Sequence, residues 1–389
     1  MRAWIELDRQ ALAGNVAALR GLLGAGRQLL AVVKANAYGH GLIEISSLLA
    51  ARGVGWFGVS TIDEGIQLRH ARVPGRILVL GGFWSTAEAL AALDLRLDLS
   101  VSTPEQLELV RGAARARGLA PTVHLKIDTG LARLGALPAD APALARQLAL
   151  PPALPVASVW SHLACADAPE PEATEQQRLR FEATVAQLPL AQPPLLHLAN
   201  SAGLLRGDAR LHLGMARVGL ALYGVPPAPW LRDRCALTPV LALKARVAQV
   251  KELPVGAAVS YGGRFVTTRP TRLAVVAAGY GDGIPRRLSG RLRARVRGHE
   301  APQVGTITMD LLMLDVTDVP GVTAGDDVTL LGPGLTAEHW AELDGTIAYE
   351  ILCGLANRLP RVITGPAEVD PGPRPQSPGY PPPLPVVRD

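Results

Sequence analysis

Residues 29–60 read LLAVVKANAYGHGLIEISSLLAARGVGWFGVS, and their organisation sets the reading of the whole chain. The apolar run LLAVVK ends at Lys34, and a loop with Asn36, Tyr38, Gly39, His40 and Gly41 follows. GLIEISSLLAARG then spaces its apolar residues as a helix does, and WFGVS is a second short apolar run. Upstream, RQALAGNVAALRGLLGA (9–25) predicts a helix with Asp8 placed to cap it.

The same alternation continues downstream. Strand candidates RILVLGG, LDLSVS, TVHLKID, PVASVWSHL, LLHLAN and LHLGMARVG are separated by IDEGIQLRHA, TAEALAAL, PEQLELVRGAARARG, APALARQLAL, EATEQQRLRFEATVAQL and the short SAGLL. About eight apolar strands, each followed by a helix, predict an α/β architecture with an N-terminal (β/α)8 TIM-type barrel over residues 9–226. An open doubly wound sheet is the competing reading, because six of its strands would look alike.

Beyond residue 227 the texture changes. ALKARVAQVKEL, TRLAVVAAGY, RARVRG, APQVGTITMDLLMLDVT and DDVTLLG are strand-like between Gly and Pro turns, which predicts a mainly β domain over 227–365. Residues 1–8, with WIEL at Trp4–Leu7, are expected to join it, since that strand has no partner beside the first barrel helix. Residues 366–389, PAEVDPGPRPQSPGYPPPLPVVRD, are too proline-rich to bury a core and predict an extended tail.

With 389 residues, 48% hydrophobic and 19% charged, the chain can bury large cores. Its net charge of +5 comes from basic residues interspersed with acids, so nucleic acid is not an expected partner. Three cysteines, Cys165, Cys235 and Cys353, are odd in number and far apart, which offers neither a disulfide framework nor zinc-ligand spacing. No metal is expected. The start MRAWIELDRQ has no apolar leader, and no later stretch of ~18 residues lacks charges or helix breakers. The expectation is a cytoplasmic protein without a membrane partner.

Lys34 ends a wholly apolar barrel strand, at the rim where active sites of this fold form. Partial desolvation there lowers an amine's pKa and frees a nucleophile, although a lysine that only snorkels at a strand end would look the same. The phosphate site of such barrels is usually built by the loops after strands seven and eight. Those loops here carry Ser201 and Gly219, and a lysine opposite a phosphate cradle implies pyridoxal 5′-phosphate (PLP). Arg217 sits just before that cradle, though a surface arginine at a strand end is the alternative.

Taken in order, AVVKANAYGHG, KIDTGLARLG, HLANSAG, MARVGLALYG, VSYGGRF, GYGDGIPR and GTITMD resemble the fold-type III alanine racemases over roughly residues 1–365. The resemblance implies that Lys34 carries PLP covalently, and that Tyr38, Ser201, Tyr349 and the amides of Gly219 and Leu220 hold its phosphate. It places Arg217 at the pyridine nitrogen. A guanidinium accepts no proton, so the ring nitrogen stays unprotonated and racemisation is favoured over transamination.

Racemisation needs acid/base groups on both faces of the α-carbon, and Tyr261 matches the family's second base, opposite Lys34. A phenol ordinarily titrates near pH 10, so such a role asks for nearby positive charge; His162 and Arg217 are the candidates. A satisfied core histidine is the alternative for His162. Tyr261 lies in the β domain, so the resemblance implies a homodimer with shared active sites.

Met309 and Asp310 would then reach the substrate from the second subunit, although Asp310 also fits a plain strand turn. Arg133 would hold the alanine carboxylate, with Lys126 as its carbamylated partner in many members; two bare cations side by side would repel. Tyr280 and Arg286 would line the substrate entrance, with Tyr349 helping to exclude side chains larger than methyl. The implied activity interconverts L- and D-alanine, supplying D-alanine for peptidoglycan. Ala132 departs from the pattern, standing where glycine is common.

The competing readings are a broader amino-acid racemase, a decarboxylase of the same barrel type and a PLP-carrier protein. Lys126 and Tyr261 together argue against the first two. The second domain, with Tyr261 in it, argues against the third.

Overall fold

The computed structural model describes residues 1–192 and 194–366. The tail reading therefore lies outside the described residues from position 367 onward. A first strand, β1 (Ala3–Asp8), leads into the helix Arg9–Leu23, whose N-terminus is capped by the Asp8 carboxylate accepting from the amides of Gln10 and Ala11. Eight parallel strands follow: β2 (Gln28–Val32), β3 (Trp56–Val59), β4 (Arg76–Val79), β5 (Asp98–Val101), β6 (Val123–Lys126), β7 (Val156–Trp160), β8 (Leu195–His197) and β9 (Met215–Val218). They close into a barrel, β9 pairing back onto β2 with Arg217 opposite Leu30.

The expected TIM-type barrel is present, and the open sheet is excluded by that closure. Side chains line its interior and helices cover its outside, so its strands have no solvent face and read as apolar runs. Thr61, Ser85 and Thr103 cap the helices Ile62–His70, Thr86–Asp94 and Pro104–Arg117, and Thr61 forms a reciprocal capping box with Glu64.

The last barrel strand is shorter than LHLGMARVG suggests. Asp208 caps a helical turn at Ala209–His212, and extended backbone begins only at Met215. The apolar Leu211 is buried from a helix, a packing that a short apolar run cannot distinguish from a strand.

Downstream, the 13-residue β10 (Leu241–Leu253) organises an eight-stranded sheet. It pairs antiparallel with β1, Thr271–Val276 and Asp327–Leu331, while β1 also runs parallel to Arg361–Thr364. Two helices that strand patterning did not suggest, Ala337–Asp344 and Ala348–Cys353, pack against each other. The second of them brings Tyr349 to within 5.8 Å of Tyr38, ring centre to ring centre. Among the described residues, no helix is long and apolar enough to cross a membrane.

Candidate active site

Lys34 opens a turn that most L-residues avoid. Ala35, Asn36, Ala37 and Tyr38 all have left-handed φ, between 52° and 54°, which costs roughly 1–2 kcal/mol per residue. Such strain persists only where the surroundings over-determine it, and it gathers at functional sites. Here the Ala35 amide donates to Glu64 Oε1 at 2.7 Å, the Leu42 amide to Asn36 Oδ1 at 2.7 Å, and Asn36 Nδ2 to Asn357 Oδ1 at 2.9 Å. Gly39, which follows, must be glycine because a Cβ there would meet the Leu352 carbonyl oxygen at 2.0 Å.

The turn delivers Tyr38 into the barrel mouth, buried against Tyr223 at 5.2 Å between ring centres. Burial pushes the Tyr38 phenol well up and holds Tyr349 at about 12, so both remain neutral hydroxyl donors. Opposite, Ser201 Oγ accepts from the Gly219 amide at 3.0 Å and from the Ala221 amide at 3.4 Å. A Cβ on Gly219 would stand 2.5 Å from the Tyr38 hydroxyl. Tyr38, Ser201 and Gly219 therefore form one close-fitting cradle, with Leu220 buried beside it at the start of a short 3-10 turn.

Around the cradle the charge is positive. Burial first, and then the Arg133 charge, lower the Lys34 pKa, while Glu64 and Cys353 act in the opposite sense. Lys126 is brought down to about 7 by burial, then by Arg133 and Arg217. Its Nζ lies 4.4 Å from the Trp160 ring centre, and Arg217 Cζ lies 4.7 Å from the same ring. Arg217 is buried and held by the carbonyls of Ser161 (2.6 Å), Leu198 (3.0 Å) and His197 (3.1 Å), with its Nη2 3.3 Å from His162 Nδ1. Burial and the surrounding cations keep His162 neutral at physiological pH.

Lys34, Lys126, Arg133 and Arg217 outnumber the carboxylates Glu64 and Asp128 that act on them, and this excess of positive charge suits an acidic ligand with a phosphate. The residues present fit pyridoxal phosphate in both respects: the cradle suits a phosphate, and Lys34 offers an amine whose pKa burial lowers.

Arg133 sits on a loop shaped by Asp128, whose carboxylate accepts from the amides of Gly130, Leu131, Ala132 and Arg133 at 2.9–3.1 Å. In that loop Ala132 has φ +55°, so a glycine at this position would relieve backbone strain. Sequence reasoning missed the roles of Asp128, Glu64, Asn36, Trp160 and Asn357. KIDTG and KANAYG contained Asp128 and Asn36, but nothing in their spacing showed which backbone amides they would satisfy.

Tyr261, Tyr280, Met309, Asp310 and Arg286 lie on the surface of the β domain instead. Tyr261 is 73% exposed, Met309 54% and Tyr280 41%. Ser260, just before Tyr261, has φ +63° and ψ −175°, a region essentially confined to glycine. Its hydroxyl donates to the Thr306 carbonyl at 2.7 Å, and the Thr306 hydroxyl donates to the Tyr261 carbonyl at 2.8 Å, so the exposed tyrosine stands on a locked base. The Tyr280 amide bonds the Thr308 carbonyl, and Ser289 links the Arg286 carbonyl to the Ile307 amide. Arg358 ties Asp310 (2.7 Å) to the buried Asp282 (2.8 Å). One connected loop system thus exposes Tyr261, Tyr280 and Met309 beside the charged Asp310 and Arg286.

The family described as "Alanine racemase, N-terminal domain" matches residues 7–227, and "Alanine racemase, C-terminal domain" matches residues 240–363. The chain is 43% identical to the alanine racemase of Nostoc sp. over 369 residues, covering 93% of this chain and 95% of that one. It superposes on the crystal structure of alanine racemase from D-cycloserine producing Streptomyces lavendulae with a TM-score of 0.88 at 39% identity, covering 94% and 98% of the two chains. A structure of alanine racemase from Bartonella henselae with covalently bound pyridoxal phosphate matches with a TM-score of 0.84 at 30% identity, covering 94% and 100%.

Proposed function

The chain belongs to the alanine racemase family, and we propose that it interconverts L- and D-alanine with PLP held covalently on Lys34, by proton transfer on two opposite faces of the α-carbon. The observation that supports this most is the cationic barrel mouth around the Tyr38–Ser201–Gly219 cradle. When bound, PLP supplies the electron sink that acidifies the α-carbon proton.

The chain's own residues do the rest. Lys34, its pKa lowered by burial and by Arg133, exchanges a proton on one face. Tyr261 serves the other face from a second subunit, so the active unit is a homodimer. Each barrel (9–226) is completed by the partner's β domain (227–365, with residues 1–8). Arg217 is assigned to the cofactor's ring nitrogen, and having no acceptor it leaves that nitrogen unprotonated. Neutral His162 links Arg217 to Tyr261.

Tyr349, with Gly219 and Leu220, completes the phosphate site. Arg133 and the Met309 amide receive the alanine carboxylate, Asp310 is held beside them, and a carbamate on Lys126 orients Arg133. Tyr280, Arg286 and Tyr349 restrict the entrance to small side chains. The D-alanine formed serves peptidoglycan assembly, with the cytoplasm as the site of reaction.

Racemase activity with added PLP, measured across a panel of L-amino acids, tests reaction and selectivity together. Alanine should dominate; serine at a comparable rate would overturn the entrance assignment. Borohydride reduction followed by peptide mapping should place the pyridoxyl group on Lys34, and a label on another lysine would end the argument.

A further inference from the structure

Beneath the cradle, the barrel interior departs from the branched aliphatic layers usual in this fold. Arg76 grips Asp98 through two hydrogen bonds, Nε to Oδ2 at 3.0 Å and Nη2 to Oδ1 at 2.6 Å. Asp98 Oδ1 lies 3.5 Å from His124 Nε2, an electrostatic contact too long for a full hydrogen bond. His124 Nδ1 is 2.6 Å from Ser158 Oγ, Ser158 Oγ is 2.8 Å from His197 Nε2, and His197 Nδ1 is 3.1 Å from Arg217 Nη1. From Asp98 to Arg217 every member is at most 3% exposed. The file crosses the barrel interior through six consecutive strands, β4 to β9.

Its two ends dictate the protons between them. Arginine can only donate and a carboxylate can only accept. Arg217 therefore makes His197 Nδ1 the acceptor, and the proton of the neutral ring goes to Nε2, which donates to Ser158. The Ser158 hydroxyl has one proton, which it passes to His124 Nδ1, leaving the His124 proton on Nε2 toward Asp98. All donors point the same way, and hydrogen bonds aligned in a low-dielectric interior polarise one another. Burial opposes ionisation of Asp98, but His124 and Arg76 outweigh it and hold the carboxyl at about 2, so the accepting end stays charged. His197 is kept neutral by burial first and then by the Arg217 charge.

We propose that Asp98, His124, Ser158 and His197 are positioning residues, a one-way file of hydrogen bonds between His124 and Arg217 closed by the His124–Asp98 electrostatic contact, which fixes the rotation of the Arg217 guanidinium and thereby the cation offered to the cofactor's ring nitrogen. A buried acid–base file is a costly way to stabilise a barrel that aliphatic residues would fill as well. This inference rests on the assignment of Arg217 to that nitrogen, but the state of His197 can be read without it.

The experiment is nitrogen NMR of the histidine-labelled holoenzyme, in which only eight histidines contribute. Wild type should show His197 neutral with its proton on Nε2. Ser158→Ala cuts the file without changing charge. It should leave the His197 Nε2 proton without its acceptor and so shift the Nε2 resonance, shift the absorbance of the bound cofactor, and lower kcat about 10–100-fold, as loss of an orienting partner does, with KM for alanine little changed. Ser158→Thr, which keeps the hydroxyl, should restore all three. Asp98→Asn, equal in size, carries the test where the alanine variant proves unstable.

An unchanged His197 signal in both Ser158→Ala and Asp98→Asn overturns the file. A shifted His197 Nε2 resonance with wild-type kcat and absorbance overturns its effect on Arg217. The expected Nε2 shift in a protein that does not racemise alanine supports the file and overturns the functional reading instead.

Discussion

Lys126 offers a quantitative test of the site. Its amine pKa of about 7 means that close to half of it is neutral at pH 7, whereas an ordinary lysine near 10.4 is neutral to roughly four parts in ten thousand. The reactive form is thus enriched roughly a thousandfold. Carbamate formation joins the neutral nitrogen to the carbon of CO2 and releases one proton. It replaces a cation facing Arg133 and Arg217 with an anion, which turns into attraction the repulsion that, after burial, lowers the amine.

The sign with pH follows. The folded amine titrates below its unfolded value, so between pH 7 and about 10.4 the unfolded chain binds more protons. The bare lysine therefore costs stability increasingly as pH falls through that window, with the full cost present below pH 7. Protonation should likewise strip the carbamate on acidification. Holoenzyme equilibrated with 13C-bicarbonate at pH 8 should show one protein-bound carbamate resonance that is absent from Lys126→Arg and fades below pH 7. Identical spectra for wild type and Lys126→Arg would refute the reasoning, and the orientation of Arg133 would need another cause.

Gly219→Ala puts a methyl 2.5 Å from the Tyr38 hydroxyl; PLP affinity, followed by absorbance titration, should fall at least about tenfold, or 1.4 kcal/mol, with the circular dichroism spectrum retained, and unchanged affinity would contradict the cradle. Tyr261→Phe should leave thermal stability within about 0.5 kcal/mol, as expected of an exposed site, while slowing isotope exchange from L-alanine far more than from D-alanine. Equal losses in the two directions would remove its one-sided role. Ala132→Gly relieves about 1–2 kcal/mol of left-handed strain against about 0.5–1 kcal/mol of added chain entropy, so Tm should rise by about 1–2 °C; a fall would show that the alanine side chain itself matters.

The barrel was legible because most of its strands are short, largely apolar runs between helical segments, three of them with readable caps at Thr61, Ser85 and Thr103. β1 could be anticipated from Trp4–Leu7, but its neighbours could not, because one partner lies in β10 and the other in Arg361–Thr364. The left-handed turn after Lys34 was illegible for a different reason. KANAY contains no glycine, and its conformation is imposed by Glu64 and Asn357 from distant segments. The buried file escaped for the same cause: His124, Ser158 and His197 each stand alone in a strand, 34 and 39 positions apart, and only barrel closure aligns them. Helix Ala348–Cys353 was obscured by the strand-like sequence around it, although the resemblance had already pointed to Tyr349.

The pairing of β1 also bears on how the molecule is made. The Thr364 hydroxyl donates to the Leu7 carbonyl across 357 positions, so at 5–20 residues per second a nascent β1 waits roughly 20–70 s for that neighbour. During that interval the barrel can close and β10 can pair with one edge of β1, while the other edge, carrying apolar Trp4, Ile5 and Leu7, stays open as a template for pairing with another chain. Arg2, Glu6 and Asp8, interleaved with those residues, set charges against such encounters. Among the described strands, β1 is thus one of the last to be fully paired.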